Sequence, residues 1–324
     1  MKKSIPINTI LQGDSLEVLK TLPDESIDMV ITSPPYWALR DYGVEGQLGL
    51  EPTFQEYINK LCDIFDEVKR VLKKEGTCWV NLGDTYSGNS SYSKNGRQGY
   101  GNDKIANMKE YLDPKLPARK RGREQVNMDN IKSKSLCQIP SRFAIEMTNR
   151  GWILRNEIIW HKPNCMPSTV KDRFTVDFEK IFFFSKSKKY YFETQMEEAL
   201  VGYKGTDFIP NSDKDKKSIK KTNATGASFN NRTDELQTKR NKRTVWTITT
   251  KPFREAHFAV FPPELVETPI KAGCPDGGIV LDLFFGAGTT GLVAKQLGKN
   301  YLGIELNPEY IKIAEQRLAP QTLL

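Results

Sequence analysis

A rigid corner that could do chemistry lies at Ser33-Pro34-Pro35-Tyr36, directly after the apolar run Ile27–Thr32. The two prolines fix φ and lack a backbone N–H, so the corner presents hydrogen-bond acceptors without donors. The Ser33 hydroxyl and the Pro34 carbonyl can together accept both hydrogens of an exocyclic amine, which leaves the nitrogen's electron density aimed at an electrophile. Tyr36 offers an aromatic face to an extruded base. Taken alone, however, the corner favours the simpler interpretation of a rigid turn that closes a strand.

A second segment combines glycines with an acid. The apolar run Gly278–Phe284 leads into the glycine loop, Phe285–Gly291, which opens a helical pattern. Glycines in such a loop let a ligand approach the backbone at a helix N-terminus. Glu305 follows Gly286 by 19 residues, at the end of the next apolar run, where an acid can bind ribose hydroxyls. Because the spacing also fits G-x-G-x-x-G, a nicotinamide dehydrogenase, another nucleoside-cofactor enzyme and a purely structural turn all stay open.

Asp282 separates these alternatives, because it stands just before the glycine loop at the end of a predicted strand. A carboxylate there can meet the cationic ammonium of a methionine moiety, whereas it would repel a pyrophosphate. The loop also lacks the Gly-Lys-Ser/Thr of a phosphate-binding P-loop. The segment therefore favours a nucleoside cofactor that carries a methionine group.

Composition narrows the class of protein further. The chain has 324 residues and 38% hydrophobic residues, enough for one large α/β domain with insertions. No apolar run reaches membrane-spanning length and the start lacks a signal-peptide pattern, so we expect a soluble, intracellular protein without a membrane partner. Five cysteines without a C-x-x-C pair, together with two histidines, predict neither a disulfide framework nor a metal site.

The net charge of +8 is concentrated in two segments. Residues 86–135 contain eleven Lys and Arg against five Asp and Glu, and residues 186–245 contain fourteen against eight. Clustered basic residues suit a polyanionic partner such as nucleic acid. Two solvated lysine-rich loops would give the same pattern, so charge alone favours nucleic acid only slightly.

Alternating strands and helices must position these motifs. Short apolar runs bounded by Gly, Pro and Asp predict buried parallel strands at Ile7–Gln12, Ile27–Thr32, Thr77–Leu82, Glu157–Trp160, Lys180–Phe184, Gly278–Phe284 and Tyr301–Glu305. Three-to-four spacing of apolar residues predicts helices at Phe54–Leu72, Gly288–Gln296 and Asn307–Leu318. This alternation indicates an α/β fold with a mostly parallel, doubly wound sheet.

The two motifs together resemble a known family. Thr32–Tyr36, followed far downstream by Phe284–Thr289, resembles the amino-directed DNA methyltransferases of the N4-cytosine/N6-adenine family. The order of the motifs resembles the circularly permuted beta class, and the resemblance covers most of the chain outside the two basic segments. It implies a Rossmann-like methyltransferase fold whose sheet has seven strands. Gly278–Phe284, Tyr301–Glu305 and Ile7–Gln12 would be its first, second and third strands.

The resemblance also implies roles for individual residues. The target amine would be held by Ser33, Pro34, Pro35 and Tyr36. S-adenosyl-L-methionine, without a metal, would be bound by Asp14, Thr32, Phe258, Phe261, Pro262, Asp282, Phe284, Phe285, Gly286, Gly288, Thr289, Thr290 and Glu305. The target base or DNA would be contacted by Trp37, Trp160, Lys162, Arg119, Lys120, Arg121 and Arg123.

The resemblance gives an expected division of the chain. The catalytic domain would comprise residues 1–85 with the target-base motif, 136–185, and 246–324 with the cofactor motif. A basic flexible insertion would occupy residues 86–135, and the target recognition region residues 186–245.

The expected activity is site-specific methylation of double-stranded DNA in a restriction-modification or orphan role. In the family, serine at the first position of the corner is typical of cytosine enzymes and aspartate of adenine enzymes. Ser33 therefore predicts the N4 amine of a flipped cytosine, while adenine N6 stays open. Cys274-Pro275 is present but no Pro-Cys, which argues against a carbon-directed enzyme with a cysteine nucleophile.

Other questions stay open at this point. A nicotinamide dehydrogenase would leave the corner and the basic segments unexplained, and a catalytically silent nucleic-acid-binding module would leave the intact motifs unexplained. A cognate restriction endonuclease is a conceivable partner, without a stable complex. The sequence does not distinguish a monomer from a homodimer.

Overall fold

The computed structural model describes residues 5–39, 44–87, 131–203, 237–251 and 261–319. Its strands, in chain order, are β1 (Thr9–Gln12), β2 (Ile27–Thr32), β3 (Leu72–Leu82), β4 (Ile153–His161), β5 (Phe178–Ser185), β6 (Met196–Tyr203), β7 (Gln237–Asn241), β8 (Val245–Thr247), β9 (Ile279–Asp282) and β10 (Asn300–Glu305). Its helices are α1 (Ser15–Thr21), α2 (Phe54–Val71), α3 (Ile139–Asn149), α4 (Pro263–Gly273), α5 (Thr289–Gln296) and α6 (Pro308–Leu318).

One sheet joins eight of these strands in the order β1-β10-β9-β2-β3-β5-β4-β8. Neighbouring strands run parallel except at β5, which is antiparallel to both β3 and β4. β9 lies beside β2, with β10 and then β1 outside it. This order confirms the predicted fold class and the permuted arrangement, in which the last strands of the chain lie between its first two.

Two details of the sheet differ from the prediction. The sheet has eight strands rather than seven, because the short β8 pairs with the end of β4, where the Ile248 N–H donates to the His161 carbonyl at 3.0 Å. β5 was predicted among the parallel strands and is antiparallel. The connection 162–177 carries no helix that could cross over the sheet, so the chain returns beside β4 in the opposite direction.

The helices cover both faces of the sheet, and β5 shows how its side chains divide between them. Phe182 and Phe184 enter the core cluster that includes Phe65 of α2 and Phe143 of α3. Phe183 points to the other cluster and stacks on Trp79, with 4.1 Å between the ring centroids. Successive strand residues face opposite sides, so a run of three buried phenylalanines requires cover on both.

Three helices were not predicted. α1 is capped by Asp14 but is only seven residues long, α3 begins after Gln138, whose side chain makes no cap, and α4 contains Pro269 in its interior. α2 has the expected signals, since Thr53 caps it and accepts from the Glu56 N–H at 3.1 Å.

The chain divides into two compact units, Met1–Glu193 with Thr244–Leu324, and Thr194–Arg243. The large unit contains the eight-stranded sheet. In the small unit β6 pairs antiparallel with β7, and Arg240 Nε donates to Glu197 Oε1 at 2.9 Å. No helix in the described ranges is long and apolar enough to cross a membrane. The same ranges hold no group of three or more His, Cys, Asp or Glu side chains that could ligate a metal ion.

Candidate active site

The proline corner and the glycine loop meet at one edge of the sheet. β2 and β9 are parallel neighbours in which Val30 pairs with Leu281, so their carboxyl ends emerge side by side. There Thr32 Oγ1 donates to Asp282 Oδ1 across 2.6 Å. The two motifs that the sequence singled out are thus brought together, at the edge where ligands bind in sheets of this kind.

The Asp282 side chain links β9 to β2 and α5 by hydrogen bonds. It is 1% exposed, and its Oδ2 accepts from Thr290 Oγ1 at 2.6 Å while Oδ1 accepts from Thr32 and from the Phe284 N–H. Burial raises the pKa of this carboxyl to about 6, against the lowering effect of the two hydroxyls. Protein donors bind both oxygens, so Asp282, Thr32 and Thr290 join β9, β2 and α5. The expected contact of Asp282 with a ligand ammonium stays a prediction, since Oδ2 has a second acceptor position.

The glycine loop owes its shape to left-handed glycines. Gly288, with φ 78°, begins α5, and a Cβ built there would lie 2.9 Å from the Cβ of Ala314. Gly286, with φ 51°, instead faces open space, since the nearest atom to such a Cβ would be 4.0 Å away. The close approach at Gly288 packs the loop on α6, while the room at Gly286 is on the ligand side.

Glu305 is hydrogen-bonded to the glycine loop at Gly286, the side on which the loop has open space. Its Oε2 accepts from the Gly286 N–H at 2.7 Å and its Oε1 accepts from the Asn307 N–H at 2.8 Å. Burial raises the pKa of Glu305 above its usual range, while the backbone donors lower it. Each carboxylate oxygen has a second acceptor position, so Glu305 can still receive a ligand hydroxyl. It lies at the end of β10, beside the end of β1, where Gln12 pairs with it.

Some residues expected at the cofactor support the loop from behind. Phe285 is buried and stacks on Tyr301 with 5.8 Å between ring centroids. Thr289 is buried too, and its hydroxyl accepts from Arg317 Nη1 at 3.2 Å. Phe285 fills the space left by Gly303, where a Cβ would lie 2.5 Å from its ring. Both side chains pack against the protein, and their expected contacts with the cofactor stay predictions.

The other described residues expected at the cofactor lie after β1, after β9 and before α4. Asp14 is exposed beyond the end of β1, where its carboxylate caps α1 by accepting from the N–H groups of Leu16 and Glu17. Phe284 is half-buried on the loop, Phe261 is half-buried against the core, and Pro262 is buried directly before α4. Phe258 lies outside the described residues.

Within the proline corner, hydroxyl groups converge. Tyr36 Oη lies 2.7 Å from Glu179 Oε2 and 3.1 Å from Asn81 Oδ1. Ser33 Oγ lies 3.3 Å from Asn81 Oδ1 and 3.5 Å from Tyr36 Oη. Burial, and next the Glu179 carboxylate, raise the pKa of Tyr36 well above its usual range, so its hydroxyl stays protonated. Gly83 packs on the ring so closely that a Cβ would lie 2.5 Å from it.

The carbonyls of the corner differ in their partners. Tyr57 Oη donates to the Pro35 carbonyl at 2.9 Å, which anchors the corner to α2. No donor from the described part of the chain is bonded to the Pro34 carbonyl. Within the described residues the Pro34 carbonyl is thus left as an acceptor, while the Pro35 carbonyl joins the corner to α2.

The sequence missed two residues that contact Tyr36. Asn81 is a buried amide near the end of β3, and Glu179 is a carboxylate near the start of β5. Because β5 is antiparallel, its first residues reach the same edge as the last residues of β3. A polar side chain in or beside an apolar run needs a partner when buried, and that need was the available signal.

Three residues expected to contact base or DNA have partners within the protein. Trp37 is 1% exposed and its indole N–H donates to the Glu51 carbonyl at 3.0 Å. Trp160 is also buried, and its N–H donates to the Ile248 carbonyl at 2.8 Å. The ammonium of Lys162 pairs with Glu179 and lies 4.3 Å from the centroid of the Trp160 ring. Both tryptophans thus lie in the core and Lys162 pairs with a carboxylate, while their expected contacts with base or DNA stay predictions.

The connection 162–177 presents an apolar side chain to solvent at this edge. Phe174 is 96% exposed. Just before it, Asp172 pairs with Lys134 at 2.6 Å and the Arg173 guanidinium lies 3.6 Å from the Tyr86 ring centroid. These contacts lie next to Phe174, whose ring projects into solvent. Phe174 was not among the residues predicted from the sequence.

The ends of the first basic segment are clasped together near the same edge. The Ser87 N–H donates to the Ser135 carbonyl at 2.8 Å, and the Lys134 N–H donates to the Ser87 carbonyl at 2.7 Å. Cys137 is joined in the same way to Thr85, at 2.9 Å. The chain therefore departs and returns at one place. The expected DNA contacts Arg119, Lys120, Arg121 and Arg123 fall outside the described residues.

Comparison with known proteins covers almost the whole chain. Residues 27–316 match an N6/N4 methyltransferase family model described as DNA methylase. The type II methyltransferase M.Cfr9I of Citrobacter freundii is 41% identical over 311 residues, which cover 96% of this chain and 87% of that protein.

Solved structures share the fold at lower identity. The PvuII DNA methyltransferase (cytosine-N4-specific) aligns with a TM-score of 0.60 and 21% identity, over 98% of this chain and 88% of that one. A putative DNA modification methylase of Thermus thermophilus, in complex with S-adenosyl-L-methionine, aligns with a TM-score of 0.56 and 21% identity, over 96% and 92% of the two chains.

Proposed function

This chain belongs to the N6/N4 DNA methylase family, and we propose that it transfers the methyl group of S-adenosyl-L-methionine to the N4 amine of a cytosine flipped out of double-stranded DNA. The observation that carries the proposal is the hydrogen bond from Thr32 to Asp282, which fixes the proline corner beside the glycine loop. A target amine bound at the proline corner would then face a methyl donor bound at the glycine loop.

The open side of the glycine loop fits the proposed methyl donor. Gly286 leaves room for a ligand, and Glu305 keeps acceptor positions for ribose hydroxyls. Asp14 is exposed at the end of the strand beside Glu305, where it can receive the adenine amine, and Phe284 is available for apolar contact. Phe261 and Pro262 would line the methionine end. When bound, the donor supplies a sulfonium methyl whose leaving group is a neutral thioether.

The chain's own residues would prepare the amine for direct attack. Ser33 Oγ and the Pro34 carbonyl accept its two hydrogens, and these acceptors stabilise the positive charge that develops on nitrogen. The face of Tyr36 supports the base, and its ring is held by Gly83 and by Glu179. Because the reacting groups are held in line, much of the rate acceleration comes from orientation. The proton leaves the amine after transfer, to water.

Ser33 supports cytosine over adenine as the target base. In the family that the chain resembles, serine at this position is typical of cytosine enzymes. Adenine N6 is the second candidate, because its exocyclic amine presents the same two hydrogens to the same acceptors.

The DNA-facing surface would include Phe174. A flipped base leaves a gap in the stacked duplex, and apolar side chains of DNA-binding proteins can enter such gaps. Phe174 is 96% exposed on the connection between β4 and β5, so we propose that it contacts the duplex at this gap. Residues 86–135 would form a second DNA-facing segment.

Sequence recognition would lie in the small unit. We propose that it falls within the predicted region 186–245, narrowed to Thr194–Arg243, because Lys186–Glu193 is bonded to the large unit. The Tyr191 N–H, for example, donates to the Glu75 carbonyl at 2.8 Å. Relatives such as M.Cfr9I are type II methyltransferases, so a restriction-modification role is proposed here as well.

The experiment is to express the chain in a host without DNA methylation and to analyse the digested DNA by mass spectrometry. N4-methylcytosine is expected, together with a rise in melting temperature on adding S-adenosyl-L-methionine but not NAD. Detection of N6-methyladenine would instead identify adenine as the target base. Unmodified DNA without a response to the methyl donor would overturn it.

A further inference from the structure

We propose that Glu179 is a positioning residue that sets the direction of the hydroxyl hydrogen bonds in the proline corner, so that the Ser33 oxygen meets the target amine as an acceptor. This inference rests on the proposed function and names a residue through which the corner works. Glu179 would act through Tyr36 and Ser33, not by touching the base.

The direction of the hydrogen bonds is decided first between Tyr36 and Glu179. An ionised carboxylate can only accept hydrogen bonds, whereas Tyr36 has one hydroxyl hydrogen to give. At 2.7 Å from Glu179 Oε2, that hydrogen is committed to the carboxylate, because bonds to charged acceptors are the stronger ones. Tyr36 Oη can then only accept from its other neighbours.

The second step concerns Asn81. Its Nδ2 donates to the Lys180 carbonyl at 3.2 Å, which turns its Oδ1 toward the corner. Ser33 therefore lies near two oxygens that offer only lone pairs, Asn81 Oδ1 at 3.3 Å and Tyr36 Oη at 3.5 Å. The hydroxyl hydrogen of Ser33 is drawn inward to one of them. Its lone pairs are left for the amine, whose hydrogens need acceptors.

Glu179 is itself held in place by Lys162. The Lys162 ammonium pairs with its other oxygen, Oε1, and packs over the Trp160 ring, itself fixed by a hydrogen bond to the Ile248 carbonyl. The side chains of Lys162 and Glu179 are each only 17% exposed, so water competes little for the pair. Glu179 thus accepts from Lys162 on one oxygen and from Tyr36 on the other, and Ser33 in turn donates toward Tyr36 or Asn81.

A matched pair in the same sheet provides the control. Glu157 on β4 pairs with Lys180 on β5 at 2.6 Å, one residue along β5 from Glu179. Among the contacts of the described residues, none joins the Glu157–Lys180 ion pair to Tyr36. Glu157→Gln therefore removes a similar interaction without touching the corner.

The test compares Glu179→Gln, Glu179→Asp, Tyr36→Phe and the double variant Tyr36→Phe/Glu179→Gln with wild type and Glu157→Gln. Single-turnover methylation of duplex DNA and the affinity for S-adenosyl-L-methionine are measured for each. Glutamine can donate to Tyr36 and reverse the hydroxyl directions. Aspartate keeps the charge but is one methylene too short to hold both partners.

Glu179→Gln and Glu179→Asp should each slow methyl transfer by roughly tenfold or more, which corresponds to about 1.4 kcal/mol, and leave cofactor affinity within about twofold. The double variant should be no slower than Tyr36→Phe, since the effect passes through that hydroxyl. Glu157→Gln should stay within about twofold of wild type.

Full activity of Glu179→Asp, or additive losses in the double variant, would overturn this inference while leaving the methyltransferase activity itself intact. A wild-type protein that methylates no DNA would instead refute the proposed function. The two failures are therefore distinguishable in the same set of reactions.

Discussion

The hydroxyl of Thr32 and the carboxylate of Asp282 are joined across 2.6 Å, although 250 positions of sequence separate them. This bond links the strand that leads into the proline corner to the strand that leads into the glycine loop. The spacing of the two motifs is therefore set by adjacent strands of one sheet. Each part of that arrangement can be tested separately.

Ser33→Ala should slow single-turnover methyl transfer by roughly tenfold, because one acceptor of about 1.4 kcal/mol is lost in the transition state. Cofactor affinity should be unchanged, since Ser33 lies in the proline corner. Ser26→Ala is the matched control, because the Ser26 hydroxyl donates to the Pro23 carbonyl at the opposite end of β2. Equal rates for wild type and Ser33→Ala would refute the acceptor role.

Asp282 should give the protein a pH-dependent stability that Asp282→Asn lacks. In the unfolded chain its proton leaves near pH 3.8, whereas the folded protein keeps it to about pH 6. The folded state therefore binds more protons between these values, so wild type loses stability relative to the variant as pH rises through them. The difference should reach about 3 kcal/mol at most. Urea denaturation at pH 4 to 7 measures it, and a constant difference would contradict the prediction.

Gly288→Ala should lower the free energy of unfolding by more than Gly277→Ala. Both glycines have positive φ, 78° and 68°, so both variants incur backbone strain of about 1–3 kcal/mol. Only at Gly288 would the new Cβ also collide, 2.9 Å from Ala314, while nothing lies within 4 Å at Gly277. Urea denaturation of both variants isolates the collision. Equal losses would show that the loop can move away from α6.

Phe174→Ala should weaken DNA binding by at least roughly fivefold, since base–aromatic stacking contributes about 1–3 kcal/mol. With 2-aminopurine at the target position, the fluorescence increase on flipping should also fall. Ile145→Ala, at an exposed position of α3, controls for the loss of surface apolar area. Unchanged affinity and fluorescence would remove Phe174 from the DNA-facing surface.

The sheet was largely predictable because its strands are short apolar runs with sharp ends. Each of the seven predicted runs overlaps a strand of the structure, and the motif order gave the permutation. The direction of β5 could not be derived from its own residues, because a strand buried on both faces reads the same whether parallel or antiparallel. It depends on the helix-free connection 162–177.

The site was predictable in its backbone and less so in its side chains. Asp282, Phe285 and Lys162 have residue types that could touch a ligand, and each also contacts another residue of the protein. Such partners lie far away in sequence, as Glu179 does from Tyr36, so spacing cannot reveal them. Asn81 and Glu179 were missed for the same reason.

The clasp between Thr85–Ser87 and Lys134–Cys137 has a consequence for how such proteins diversify. Because the backbone is closed across this neck, adding residues beyond it would cost little extra closure entropy. A segment of different length could be spliced in at that neck while the proline corner keeps its geometry. The DNA contacts proposed for that segment would then change independently of the proposed chemistry.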